Sequence, residues 1–170
     1  MIIYFTLRQE VKMTIESLKK GIEKLKTTFG KELTVQNCRV QFIQLTYMNV
    51  DSNWKVDPHK HSWYELHYVN RGKAFTVLDG KELIVKSNNY YIIPPDTIHE
   101  HNQKIIDENH SGFAMRWQLL PHNCSKDVSN KIMVSEIEKG LSDKNIKSGR
   151  YLENLLKQLI KLSRTENITS

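Results

Sequence analysis

His59-Lys60-His61 is followed after three residues by Glu65 and after six more by Gly72. Some thirty residues later, Tyr91-Ile92-Ile93-Pro94-Pro95-Asp96-Thr97-Ile98-His99 delivers another imidazole. Side chains alternate faces along a strand, so His59, His61 and Glu65, which share parity, project to one face if no bulge intervenes. Three imidazole nitrogens and one carboxylate oxygen suit Fe, Mn, Ni, Cu or Zn. The same four groups could instead form the polar floor of a ligand pocket, bonded to each other, to water or to a hydroxylated ligand. Neither reading is settled by spacing alone.

Other groups extend this face. His67 shares the parity of His61 and Glu65, and His101 lies two residues past His99; both fit the rim of a site better than its centre. Trp63 shares the inward phase, Trp54 precedes the motif, and Trp117 sits on the last apolar run. An aromatic face beside polar groups suits a sugar-like ligand, through stacking and hydrogen bonds. Arg116 and Trp117 are adjacent and face opposite ways, so only one of them enters the pocket. His110 and His122 stand in loop-like sequence and carry no signal.

Short strands must position these groups. Cys38, Val40 and Phe42 alternate, then Ile43, Leu45 and Tyr47 alternate in the other phase, which predicts a bulge. Further strand-like runs cover 63–70, 73–78, 81–86, 90–93 and 112–119. Asp79-Gly80 is a hairpin signal because both turn positions favour positive φ. Ser87-Asn88-Asn89 and Pro94-Pro95-Asp96 mark further turns. Before this region, Val11, Ile15, Leu18, Ile22, Leu25 and Phe29 follow a helical period over about 8–29, with Gly30 as a stop. After it, Val128, Ile132, Ile137 and Leu141 predict one helix, and Leu152, Leu155, Leu156, Leu159 and Ile160 a second. The organisation expected is an N-terminal arm or helix over 1–35, a β-barrel over 36–122, and a helical pair leading into a linker over 123–170.

At 170 residues the chain has room for one domain with a real core. Its apolar content of 39% and charged content of 26% are ordinary for a soluble globular protein. A net charge of +6 is mild, and the lysines at 19, 20, 24 and 26 read as a solvated helix face rather than a nucleic-acid patch. Cys38 and Cys124 lack metal-knuckle or redox spacing, which fits a reducing, cytoplasmic setting. No stretch approaches the ~20 apolar residues of a spanning helix, so no membrane role is expected. No Gly-x-Ser-x-Gly elbow or phosphate-cradling glycine loop is present.

The pair of motifs resembles those of the cupin superfamily. His59, His61 and Glu65 match the first motif, closed by Gly72, and His99 matches the second. The glycine before the first histidine is absent, with Asn53 about there, and the two glycines of the second motif are replaced by Asn88 and Asp96. The surrounding Trp63-Tyr64-Glu65-Leu66-His67-Tyr68-Val69 and Ile92-Ile93-Pro94-Pro95 look most like the sensor domain of AraC/XylS-type transcription regulators. The resemblance implies a mainly β fold: a cupin double-stranded β-helix, jelly-roll-like, with one N-terminal and two C-terminal helices. It implies a homodimer that binds a small effector, carbohydrate by preference, through His59, His61, Trp63, Glu65, His67, His99 and Trp117. No cofactor would be required, although Zn, Ni, Fe or Mn could occupy His59, His61, Glu65 and His99. Leu152, Leu155, Leu156 and Leu159 would contribute the dimer face. DNA would be contacted only through a helix-turn-helix domain that these residues do not include. The alternative is a free-standing metal-dependent cupin enzyme, an isomerase or dioxygenase.

Overall fold

A computed structural model describes residues 16, 19–23, 32–35, 38–120, 128–149, 151, 152, 154, 155 and 158. Nine strands are present among them: β1 (Glu32–Val35), β2 (Cys38–Val50), β3 (Lys55–His59), β4 (Tyr64–Leu78), β5 (Lys81–Lys86), β6 (Asn89–Ile93), β7 (His99–Asn102), β8 (His110–Leu120) and β9 (Lys147–Ser148). All pairings are antiparallel. One layer runs β1-β2-β8-β4-β6-β9, and the second is built from β3, β7, the far half of β4, and β5. This is the mainly β, cupin-type arrangement expected from the sequence.

β4 joins the layers. Its first half pairs with β6 and β8, and its second half with β5 and β7. The sequence reads it as two runs because Gly72 interrupts the apolar pattern. At Gly72 φ is +74°, and a Cβ there would collide with the Asn109 carbonyl oxygen. Only glycine meets both conditions without strain. The Asp79-Gly80 hairpin forms as expected, with φ of 46° and 79°. Asn88 and Asp96, the residues standing for the second motif's glycines, also have positive φ, at 63° and 58°. Asn and Asp tolerate that region better than other side chains, which lets them stand in for glycine.

The bulge expected in β2 lies between Phe42 and Gln44, where the register against β8 shifts. It leaves Ile43 43% exposed. Before it, Val40 and Phe42 face the apolar cluster; after it, Leu45 and Tyr47 do. That cluster is centred on Tyr64, Leu66, Tyr68, Phe113 and Trp117, with Tyr64 and Trp117 stacked at 5.5 Å. Burying each of these large side chains is worth roughly 1.5–3 kcal/mol. Ile22, from the helical residues 19–23, is fully buried against them. Leu141, at the end of the helix Val128–Leu141, and Leu152 pack on the same surface. The remaining residues of the expected 8–29 seam, together with His122, Cys124, Leu156, Leu159 and Ile160, lie outside the described residues.

The first layer is therefore a wall with two covered faces, helices on one side and the second layer on the other. Two ties hold the C-terminal segment, one to each layer. β9 pairs with β6, and Gly149 N–H donates to the Asn88 carbonyl at 2.6 Å. At the hairpin tip, Asp79 N–H donates to the Ile98 carbonyl at 2.8 Å, and Ile98 N–H donates to Asp79 Oδ1 at 3.0 Å. Lys144 Nζ donates to the other oxygen of that carboxylate. Asp79 thus joins the segment carrying His99 to the residues that follow the helix. Among the described residues no helix is long and apolar enough to cross a membrane.

Candidate functional site

The inner face of the wall is set by strand parity. Glu65 and His67 on β4, Ala114 and Arg116 on β8, and Gln44 and Thr46 on β2 line a cavity of about 350 Å3. His59, Trp54 and His101 close it from the other layer.

His59, His61 and His99 converge, with one nitrogen from each lying within 4.8 Å of the others. They do not sit on one strand: β3 ends at His59, and His61 stands in the turn before β4. Local hydrogen bonds orient them instead. Nδ1–H of His59 donates to the Asp57 carbonyl, that of His61 to Trp63, and that of His99 to Thr97, each at 2.9 Å. A neutral ring that donates from Nδ1 carries its lone pair on Nε2. His99 Nε2 is buried with no partner, while His61 Nε2 is turned to a carboxylate. A ring anchored through its other nitrogen to a carbonyl is the usual setting of a metal-ligating histidine. The residues fit a divalent transition ion. Burial holds His99 down at about 4, outweighing the Thr97 hydrogen bond, and the neighbouring His59 and His61 push the same way. A neutral ring is the form that ligates.

Glu65 stands beside this triad and is already engaged. Its Oε2 lies 2.8 Å from His61 Nε2, while Oε1 meets His67 Nε2 at 2.9 Å and Arg116 Nη2 at 3.0 Å. Burial would raise its carboxyl, but the hydrogen bonds and charges of His67 and Arg116 more than reverse this and hold it well below the usual range. With Nδ1–H of His61 given to a carbonyl, its Nε2 and the Glu65 oxygen share a proton or a cation between them.

The aromatic residues divide. Trp63 stacks on His61 at 4.8 Å and 12°, so it backs the triad. Trp54 stacks on His101 at 5.1 Å in the cavity wall. Trp117, expected to face the ligand, points the other way into the helix-covered cluster. Of the adjacent pair, Arg116 enters the cavity. Parity allowed either choice; because both faces of the wall are covered, burial could not decide between them. His67 is buried between Glu65 and Tyr91, stacked on Tyr91 at 5.1 Å. His110, which gave no signal in the sequence, begins β8, is buried, and lies edge-on to Trp54 at 6.0 Å. Of the expected dimer face, Leu152 is half-buried against the core while Leu155 is 38% exposed.

The chain belongs to the AraC-like ligand binding domain family, which matches residues 46–167. Among curated proteins none matches the sequence. A cupin-like protein from Thermotoga maritima is similar at 20% identity, over 52% of this chain and 80% of that one, with a TM-score of 0.40. A Cupin 2 conserved barrel domain protein from Salinispora arenicola is similar at 19% identity, over 62% and 89%, with a TM-score of 0.38.

Proposed function

We propose that this AraC-like ligand-binding domain captures a small polar effector, of sugar size, in the cavity between its two layers, and reports the capture to a DNA-binding domain. The observation that carries this is the cavity itself. It has about 350 Å3 of space, polar groups converging from both layers, and Trp54 in its wall. That volume lies in the range of small-molecule sites, roughly 300–1,000 Å3. Arg116, Gln44 and Thr46 would orient hydroxyl or carbonyl oxygens. A bound ligand would favour one arrangement of the loop carrying His99, and the Asp79–Lys144 tie offers a route from there to the C-terminal segment. In this reading the domain works in the cytoplasm as half of a homodimer. Tyr151 and Leu155, exposed on the second helical segment, would supply apolar contact.

Thermal denaturation with a sugar panel tests the proposal. A ligand that raises the melting temperature of the protein should fail to do so for Ala114→Leu, which fills the cavity without removing a polar group. Stabilisation that persists in Ala114→Leu would place the ligand elsewhere.

One observation favours a second reading, a metal-dependent enzyme: three anchored imidazoles bring one nitrogen each within 4.8 Å of one another. His59, His61 and His99 would hold the ion, with Glu65 beside them; a bound ion would act as a Lewis acid toward a substrate oxygen. Elemental analysis of protein purified without an affinity tag separates the readings. Near-stoichiometric metal, lost in His59→Ala and His99→Ala, would favour the enzyme, and metal-free folded protein would favour the sensor.

A further inference from the structure

Among the described residues lining the cavity Glu65 is the only acid and Arg116 the only permanent cation. They are not equally spent. The Glu65 carboxylate is 2% exposed and meets three nitrogen partners: His61, His67 and Arg116. Three of its roughly four lone-pair sites are taken, and Arg116 offsets its charge. The Arg116 side chain remains 33% exposed. Its Nη1 donates to Gln44 Oε1 at 2.8 Å and its Nη2 to Glu65 at 3.0 Å. A guanidinium carries five N–H groups, so three are left, and Nε is buried without a partner. Beside it on β2 stand two further groups able to donate, the amide of Gln44 and the hydroxyl of Thr46. The cavity's one permanent cation thus has N–H groups to spare, while its one carboxylate has little left to offer. A neutral polyol brings a hydrogen with every oxygen and needs acceptors in return. A carboxylate brings acceptors alone and matches the planar fork of a guanidinium.

We propose that the cavity takes a small ligand bearing a carboxylate, and that Arg116 is its counter-ion. The inference rests on the reading of this cavity as the effector site and names the ligand's chemistry. It does not depend on a metal: an ion on the histidines would add charge of the same sign.

The test is calorimetric titration of the full chain, treated with EDTA, with matched pairs: D-galacturonate against D-galactose, D-glucuronate against D-glucose, and malate as an acid that is not a sugar. At least one acid is expected to bind roughly tenfold or more tightly than its neutral partner, and to weaken with added salt. Arg116→Gln should erase that preference. Because this variant strands Glu65, the paired variant Glu65→Gln/Arg116→Gln is measured beside it, each checked for folding by circular dichroism. Malate binding without the uronates would keep the carboxylate inference and remove the sugar. A neutral sugar that binds as well as its acid, or an acid preference that survives both variants, would overturn the inference while the effector reading stands. Binding by no member of the set would overturn the inference, and the effector reading would then rest on the separate Ala114→Leu test.

Discussion

Acidification should unfold this protein through its interior histidines, well above the range in which carboxylates titrate. His99 and His110 are held down at about 4, and His101 well below the ordinary 6.5, chiefly by burial; nearby imidazoles push the same way. In the unfolded chain the same rings protonate near ~6.5. Between there and about 4 the unfolded state binds more protons than the native one, so stability is lost as pH falls through this window. Each ring moved that far contributes on the order of 3 kcal/mol. Two such rings rival the lower end of a whole domain's stability, about 5–15 kcal/mol. Glu65 acts lower: its depressed carboxyl gives stability that is present above the ordinary 4.5 and lost as pH falls below it. The assay is urea unfolding in EDTA at a series of pH values from about 7.5 to about 5. The midpoint should fall steadily, mostly below about 6.5, and His110→Gln should shallow the slope by about 1.4 kcal/mol per pH unit. A flat midpoint across this range would refute the claim that these rings are buried in neutral form.

Gly72→Ala should cost more than about 2 kcal/mol, because positive φ and the Asn109 carbonyl both oppose a Cβ; urea midpoints measure it. Asn88→Gly should cost no more than about 1 kcal/mol, through the lost 3.3 Å hydrogen bond from the Tyr68 hydroxyl, whereas Asn88→Val at φ 63° should lose about 1–2 kcal/mol more. Trp117→Ala should cost about 3–5 kcal/mol of stability while the affinity for any cavity ligand stays the same, since the ring lies on the far face of the wall. Adding Ni2+ or Zn2+ at about a hundred times its Kd should raise the melting temperature by roughly 5–10 °C, and His99→Ala should abolish the rise.

Legibility in the sequence followed apolar pattern. The change of phase after Phe42 marked the β2 bulge, and Asp79-Gly80 marked its hairpin, because each rests on local backbone chemistry. β7 escaped notice because His-Glu-His-Asn shows no apolar alternation: its inward residues are histidines. β3 escaped because Pro58 and its charged neighbours resemble a loop. His110 was overlooked for the same reason, as the polar start of an otherwise apolar strand. At the site, the convergence of His59, His61 and His99 followed from motif spacing. The means did not: carbonyl anchors orient the rings where shared strand parity was expected. Arg116 and Trp117 were recognised as alternatives, but the choice between them depends on which face the helices cover, and that is tertiary information.

The two-faced wall also limits how this domain can change length over time. On β8 the charged and the aromatic residues are separated by a single peptide bond, so one inserted residue within the strand would swap them, sending Trp117 into the cavity and Arg116 under the helices. Substitutions can accumulate there one at a time, but insertions and deletions have to come in twos or carry their own correction. β2 already contains such a correction, with Ile43 looped out so that Phe42 and Leu45 reach the same side. Relatives that differ in strand length along this wall should therefore carry a bulge at the point of difference, and a graft between them that ignores it should fail to fold.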